Sequence, residues 1–247
     1  MWTAFQYRLL RAISPGGPTG MDGAAYINKS KIRVLLGDKL LDEIQGQTVV
    51  DFGCGDGHEA VELAKHGAAR VIGVDIRENA LVNARKFAEQ EGVADRCSFV
   101  TKLAEPVDRI VSLDAFEHFS DPAGILELMS TLLRPGGRVI ASFGPTWYHP
   151  LGGHLFSVFP WAHLIFSEKA LIRWRNDLRN DGATRFHEVE GGLNSMTIAR
   201  FERLVKESPL QLQQIETVPI RKLRPIHNSL TREFTSALVR CQLVKPV

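Results

Sequence analysis

Between residues 48 and 143 short apolar runs alternate with segments of helical period, and this alternation restricts the fold more than any other feature. Thr48–Phe52, Arg70–Val74, Cys97–Thr101, Arg109–Leu113 and Arg138–Phe143 are too short for helices and read as buried strands. His58–His66, Asn79–Glu91 and Ala123–Leu133 repeat apolar residues every three or four positions and read as helices. Apolar strands joined by helices form a parallel sheet covered on both faces. Right-handed crossovers wind it into a doubly wound α/β fold. Met196–Glu207 is a further expected helix. Leu210–Val218 and Phe234–Val244 are expected strands with no helix between them, which pairs them as an antiparallel hairpin at the sheet edge. The expectation is a seven-stranded, mostly parallel sheet whose last strand is antiparallel.

Residues 1–27 carry no clear periodicity, and Ser14–Gly20 is a cluster of helix breakers. From Asn28 to Gly46 the text is helical, with Ile32, Leu35, Leu36, Leu40 and Leu41 on one face. The chain thus divides into an N-terminal helical segment, 1–46, and a main domain, 47–247. From Val139 to Ser167 there are 29 residues without a charged side chain. A spanning helix needs only about 20. Pro145, Pro150, Pro160 and Gly152-Gly153 would break it, so the run reads as a strand followed by an apolar insertion, Pro145–Glu190. Phe156, Phe159, Trp161 and Phe166 make this insertion a cap or lid over an acceptor pocket. A membrane-surface patch bordered by Trp161, Arg173, Trp174 and Arg175 is the other reading.

The first strand runs into Asp51-Phe52-Gly53-Cys54-Gly55-Asp56-Gly57. The glycines permit a tight turn and let a ligand approach the backbone at a helix N-terminus. A dinucleotide fingerprint would carry its third glycine one place later, where His58 stands. The second strand ends in Asp75, an acid placed to accept hydrogen bonds from ribose hydroxyls. With Gly73-Val74-Asp75-Ile76, Ser112–Phe119 and Leu132–Arg138, four motifs follow in order. Over residues 48–144 the chain resembles class I S-adenosylmethionine-dependent methyltransferases of small-molecule type. The resemblance implies S-adenosylmethionine as cofactor, held by Asp51, Phe52, Gly53, Cys54 and Gly55 at the first motif. It places Asp75 on the ribose, Ile76 on the adenine, and Leu103 and Ala104 beside the adenine. It also brings Asp114, Ala115 and His118 to the cofactor from the loop after the fourth strand. Thr101-Lys102 replaces an acid common in relatives, with Glu105 as a substitute. Cys54 reads as a small filler whose backbone matters more than its thiol.

Methyl transfer from a sulfonium mainly demands alignment, and a hydroxyl acceptor also benefits from a base. His149, His154 and His187 are the candidate bases, with His149 first because it follows the fifth strand. Trp147, Tyr148 and Phe156 are candidate acceptor contacts, and His163 reads as a core or lid histidine. A metal held by His149, His154, His187 and Glu188 lacks any close ligand spacing, and none is expected. The expected reaction is O-methylation of a small organic acceptor. N-methylation, a nicotinamide oxidoreductase and a non-catalytic cofactor binder are the alternatives. Thirty Lys+Arg against 28 Asp+Glu gives no electrostatic case for nucleic acid. Three cysteines without metal or disulfide spacing point to a cytoplasmic setting, and Arg8 and Arg11 interrupt any N-terminal signal peptide. The acceptor and the oligomeric state have no signal in the sequence.

Overall fold

A computed structural model of the chain describes residues 1–16, 29–37, 39–189 and 191–247. The breaker cluster from Gly17 onward, the helix start at Asn28 and the insertion's end at Glu190 lie outside the described residues.

The strands are β1 (Thr48–Phe52), β2 (Arg70–Val74), β3 (Cys97–Val100), β4 (Val107–Leu113), β5 (Leu133–Phe143), β6 (Gln211–Pro219) and β7 (Ser236–Val244). They form one seven-stranded sheet in the order β3-β2-β1-β4-β5-β7-β6. The first five pair in parallel, and β7 runs antiparallel between β5 and β6. Adjacent residues of β1 point to opposite faces: Val49 joins one apolar cluster and Val50 the other. On the Val50 side pack α6 (Pro122–Leu132) and α9 (Ile198–Glu207), through residues such as Met129 and Phe201. On the Val49 side pack α2 (Lys31–Leu36), α3 (Lys39–Glu43), α4 (His58–Lys65) and α5 (Glu78–Gln90). Both faces of a parallel sheet are covered, as the continuous apolar strands require.

A third apolar cluster lies apart from the sheet. It joins Leu10 of α1 (Trp2–Ile13) to Phe156, Phe166, Leu171 and Trp174, around α7 (Ala162–Ile165) and α8 (Glu168–Asn176). Trp174 Nε1 donates to the Ser14 carbonyl at 2.8 Å, and Ser167 Oγ donates to Gln6 Oε1 at 2.6 Å. The cap is therefore built from α1 and the insertion together. The connection between β6 and β7, expected to hold no helix, contains a 3₁₀ turn, Arg221–Ile226, and a short helix, α10 (Arg232–Thr235), which takes Phe234 out of the last strand.

Several expectations change. Residues 2–13 are helical although their sequence showed no element. The helix expected over 28–46 is interrupted at Gly37, whose φ of 84° ends α2. Strand β5 starts at Leu133, because Leu133 pairs with Val107 before the register shifts and Arg138 pairs with Arg109. Trp174 is fully buried, and buried Arg175 pairs with Asp181 at 2.8 Å, so neither borders a surface patch. Among the described residues no helix is long and apolar enough to cross a membrane.

Candidate functional site

The carboxyl ends of β1, β2 and β4 bring the motif residues together. The amides of Gly53 and Cys54 both donate to the Val74 carbonyl, at 2.8 and 3.1 Å, which folds the first turn against the end of β2. Gly53 and Gly55 take φ of 86° and 51°, a region open to glycine. The Gly55 amide donates to Asp75 Oδ2 at 2.9 Å. Gly57 serves packing, since a Cβ there would lie 2.7 Å from that of Ala84. Cys54 is buried in the core cluster, and burial pushes its thiol far above the ordinary range. Phe52 is likewise a core residue, edge-on to Phe119 at 5.9 Å.

Acids crowd this corner. Asp51 is buried with Oδ2 lacking a partner, and burial, then the nearby Glu59, drives its pKa well upward. Glu117 is buried too. Its Oε1 accepts from the Gly144 amide at 2.9 Å, its Oε2 has no partner, and burial, then Asp114, raises it to about 8. Asp114, at φ 49°, pairs with Lys31 Nζ at 3.1 Å, but burial still lifts its pKa. The same ammonium lies 3.9 Å from Glu59. A cationic ligand with donor groups suits such a corner. S-adenosylmethionine carries an ammonium, a sulfonium and a ribose diol, and the two unpartnered carboxylate oxygens fit that donor set.

Burial alone would raise Asp75, but hydrogen bonds from the Arg77 side chain and backbone and from Gly55 hold it below the usual range. Arg77 Nε reaches Oδ1 at 3.1 Å and Nη2 reaches Oδ2 at 3.2 Å. A ribose diol would have to share these oxygens with the guanidinium. Ile76 beside it is 91% exposed, Leu103 packs partly on the core and Ala104 is exposed. Glu105 pairs with Arg70 at 2.8 Å, at the amino end of β2, and so cannot replace the missing adenine acid. Ala115 lies opposite Gly53, 3.3 Å from where a Cβ would stand.

A cavity of about 540 Å³ has a lining that includes His118, Trp147, Phe186, His187, Asn194 and Arg200. His118 Nδ1 lies 2.7 Å from the Gly192 carbonyl. A carbonyl only accepts, so Nδ1 is the donor in this contact, and Nε2 is the ring's acceptor in the neutral tautomer that this bond selects. Trp147 stands edge-on to His163 and Phe186, at 4.6 and 5.7 Å. Of the three candidate bases only His187 lines this cavity. His149 Nδ1 accepts from the Leu151 amide at 2.9 Å, and burial lowers its pKa to about 4. His154 is buried edge-on to His118 at 5.3 Å, and burial brings it down to about 3. Tyr148 packs on Phe234 at 5.0 Å, and Phe156 is fully buried in the cap, so neither lines the cavity. Glu188 is held by Thr184 and the Arg185 amide, and no metal cluster forms among the described residues. Lys31, Arg77, Phe186 and Arg200 were missed. They come from four separate stretches of chain, and no local spacing signals them.

Residues 44–148 match the methyltransferase domain family. That stretch, which holds β1 to β5 and the glycine turn, is similar to a methyltransferase domain. A ubiquinone biosynthesis O-methyltransferase of Neisseria meningitidis serogroup C (strain 053442) is 37% identical over 107 residues, 40% of this chain and 45% of that protein. Its namesake from Acinetobacter baylyi is 40% identical over 106 residues, 40% of this chain and 44% of that protein. The chain thus matches less than half the length of these curated relatives. Among solved structures, the [4+2]-cyclase SpnF aligns with TM-score 0.59 and 16% identity over all of this chain and 95% of its own. An S-adenosylmethionine-dependent methyltransferase from Mesorhizobium loti aligns with TM-score 0.56 and 21% identity over 91% of this chain and all of its own. These two likenesses concern the fold of the methyltransferase domain and its surroundings.

Proposed function

We propose that this chain transfers a methyl group from S-adenosylmethionine to a hydroxyl oxygen of a small acceptor. The observation that carries the reading is His118, which comes from the loop that also supplies Asp114, lines the cavity, and is oriented by the bond of its Nδ1 to the Gly192 carbonyl. When bound, S-adenosylmethionine supplies an electrophilic methyl group. Asp51 and Glu117 would accept from its ammonium, and Asp75 from its ribose. In the cavity, Trp147 and Phe186 hold the flat or apolar part of the acceptor, and Arg200 meets a polar substituent. His118 Nε2 takes the acceptor's proton, while the Gly192 carbonyl steadies the imidazolium that forms. The two curated relatives described above are named O-methyltransferases, which supports oxygen as the atom methylated.

A positioned base contributes about 10²–10⁴-fold. His118→Ala should therefore lower kcat at least about a hundredfold on a phenol or alcohol found by screening with labelled S-adenosylmethionine, with cofactor affinity nearly unchanged. Retained turnover in that variant would remove His118 as the base. A second reading has support in one observation: a fold neighbour spanning the whole chain is a cyclase. Tight binding of demethylated cofactor with no transfer to hydroxyl, amine or carboxyl acceptors would favour it.

A further inference from the structure

Helix α1 is inside out. Its inward face includes the buried polar Gln6, gripped by Ser167, together with Leu10. Its outward face carries Trp2, Phe5, Leu9 and Ile13, which are 68%, 57%, 41% and 40% exposed. Their spacing of three, four and four residues makes one continuous stripe. Trp2 and Phe5 stack at 5.6 Å, so the stripe is a joined apolar surface. A soluble helix would turn these residues to the core. Beside it, Leu164 and Ile165 of α7 are also exposed, just before the Ser167 that Gln6 holds.

Charge indicates what covers this face. Helix α1 contains Arg8 and Arg11 and no acid. Residues 158–181 hold Lys169, Arg173, Arg175 and Arg179 against Glu168, Asp177 and Asp181, and the buried Arg175 is matched by Asp181. Helix α1 is thus formally +2 and the second stretch +1, while the whole chain is +2, which leaves −1 for everything else. The positive excess sits on the side of the molecule that bears the apolar stripe. We propose that α1 lays this stripe into the surface of an anionic bilayer. Trp2 and Phe5 would enter the headgroup boundary, Leu9 and Ile13 the acyl edge, and Arg8 would reach back to the phosphates. This is peripheral contact by a helix lying in the interface, and it is independent of the acceptor chemistry.

The test uses the full chain with vesicles of phosphatidylglycerol and phosphatidylcholine, and of phosphatidylcholine alone. Co-sedimentation with the anionic vesicles, weakened by salt and weak on the neutral ones, is expected. Brominated acyl chains should quench fluorescence in the wild type and quench less in Trp2→Phe. The double variant Phe5→Glu/Leu9→Glu should partition at least about tenfold more weakly, since burying one leucine-sized side chain is worth that much. Its thermal melt should match the wild type, because both residues face outward. Failure to sediment with anionic vesicles would overturn the proposal, as would wild-type sedimentation by the double variant. So would a solution dimer that ignores vesicles and is split by the double variant, because a second copy would then cover the stripe.

Discussion

Asp75 shows how one side chain can be prepared for a ligand and shielded from it at once. Both its oxygens are engaged, by Gly55 and by Arg77. The Arg77 side chain is 56% exposed, so the pair adds at most about 1 kcal/mol. A charge-assisted bond to ribose is worth about 1.5–3 kcal/mol. Asp75→Ala should therefore weaken binding of demethylated cofactor roughly ten- to a hundredfold by calorimetry. Arg77→Ala should move affinity the other way, by less than about fivefold. Equal affinity in Asp75→Ala and wild type would remove the ribose assignment. Glu117 yields a prediction of a different kind. Its folded pKa of about 8 lies above the ordinary 4.5 of a glutamate, so the native state binds the extra proton. That contribution is fully present below the unfolded pKa and is lost as pH rises through about 8. Stability of the cofactor-free protein should fall between these values, by up to about 1.4 kcal/mol per pH unit. Glu117→Gln keeps an acceptor for the Gly144 amide and should flatten that slope in urea titrations at several pH values. An unchanged slope would show that Glu117 does not hold the proton.

Strands and helices were legible where a local pattern carries the whole reason for them. The run Arg70–Val74 is apolar, flanked by turn residues and buried between two neighbours, and it is β2 to the residue. Helix α1 escaped because its large apolar residues face outward, so its pattern has no core to point to until Leu10 meets Trp174. The early start of β5 hides behind Pro135-Gly136-Gly137, which reads as a stop but is absorbed as a register shift. The corner proposed for the cofactor groups residues that the sequence also groups, for the same reason as β2: Asp51, Gly53, Gly55 and Asp75 lie at two adjacent strand ends. The cavity was not, because Trp147, Phe186 and Arg200 meet only when α9 and the insertion fold over the sheet. The glycine turn permits a test at this scale. A Cβ at Gly57 would press on Ala84 and Phe99, at 2.7 and 2.9 Å, and φ is 82°. Gly92 has φ of 69° and nothing within 4 Å. Gly57→Ala should cost about 1–3 kcal/mol more than Gly92→Ala, since only the first adds overpacking to backbone strain. Equal midpoints in urea would show that α4 and α5 yield without penalty.

At the scale of the molecule the chain is a sheet domain that carries a cap with its own apolar cluster, and the cap is closed by a helix 160 residues away from its partner in sequence. Trp174 is fully buried, and its indole donor is satisfied by Ser14. Without α1, Leu10 no longer covers the cluster around Trp174, and Gln6 no longer holds Ser167 at the start of α8. Glu168 follows Ser167, lines the cavity, and accepts from the Phe186 amide at 2.6 Å. Loosening that end of α8 should therefore widen the cavity wall formed by Phe186. The two apolar clusters on the sheet faces are distinct from this one. Removal of residues 1–16 should leave demethylated-cofactor binding within about threefold, while amide hydrogens of α8 exchange at least about tenfold faster. Acceptor KM should rise by a similar factor. Leu10→Ala should show the same split more mildly, with about 2–5 kcal/mol lost from the cap alone. If truncation abolished cofactor binding instead, the cap and the sheet would be one cooperative unit, and α1 would belong to the core of the whole molecule.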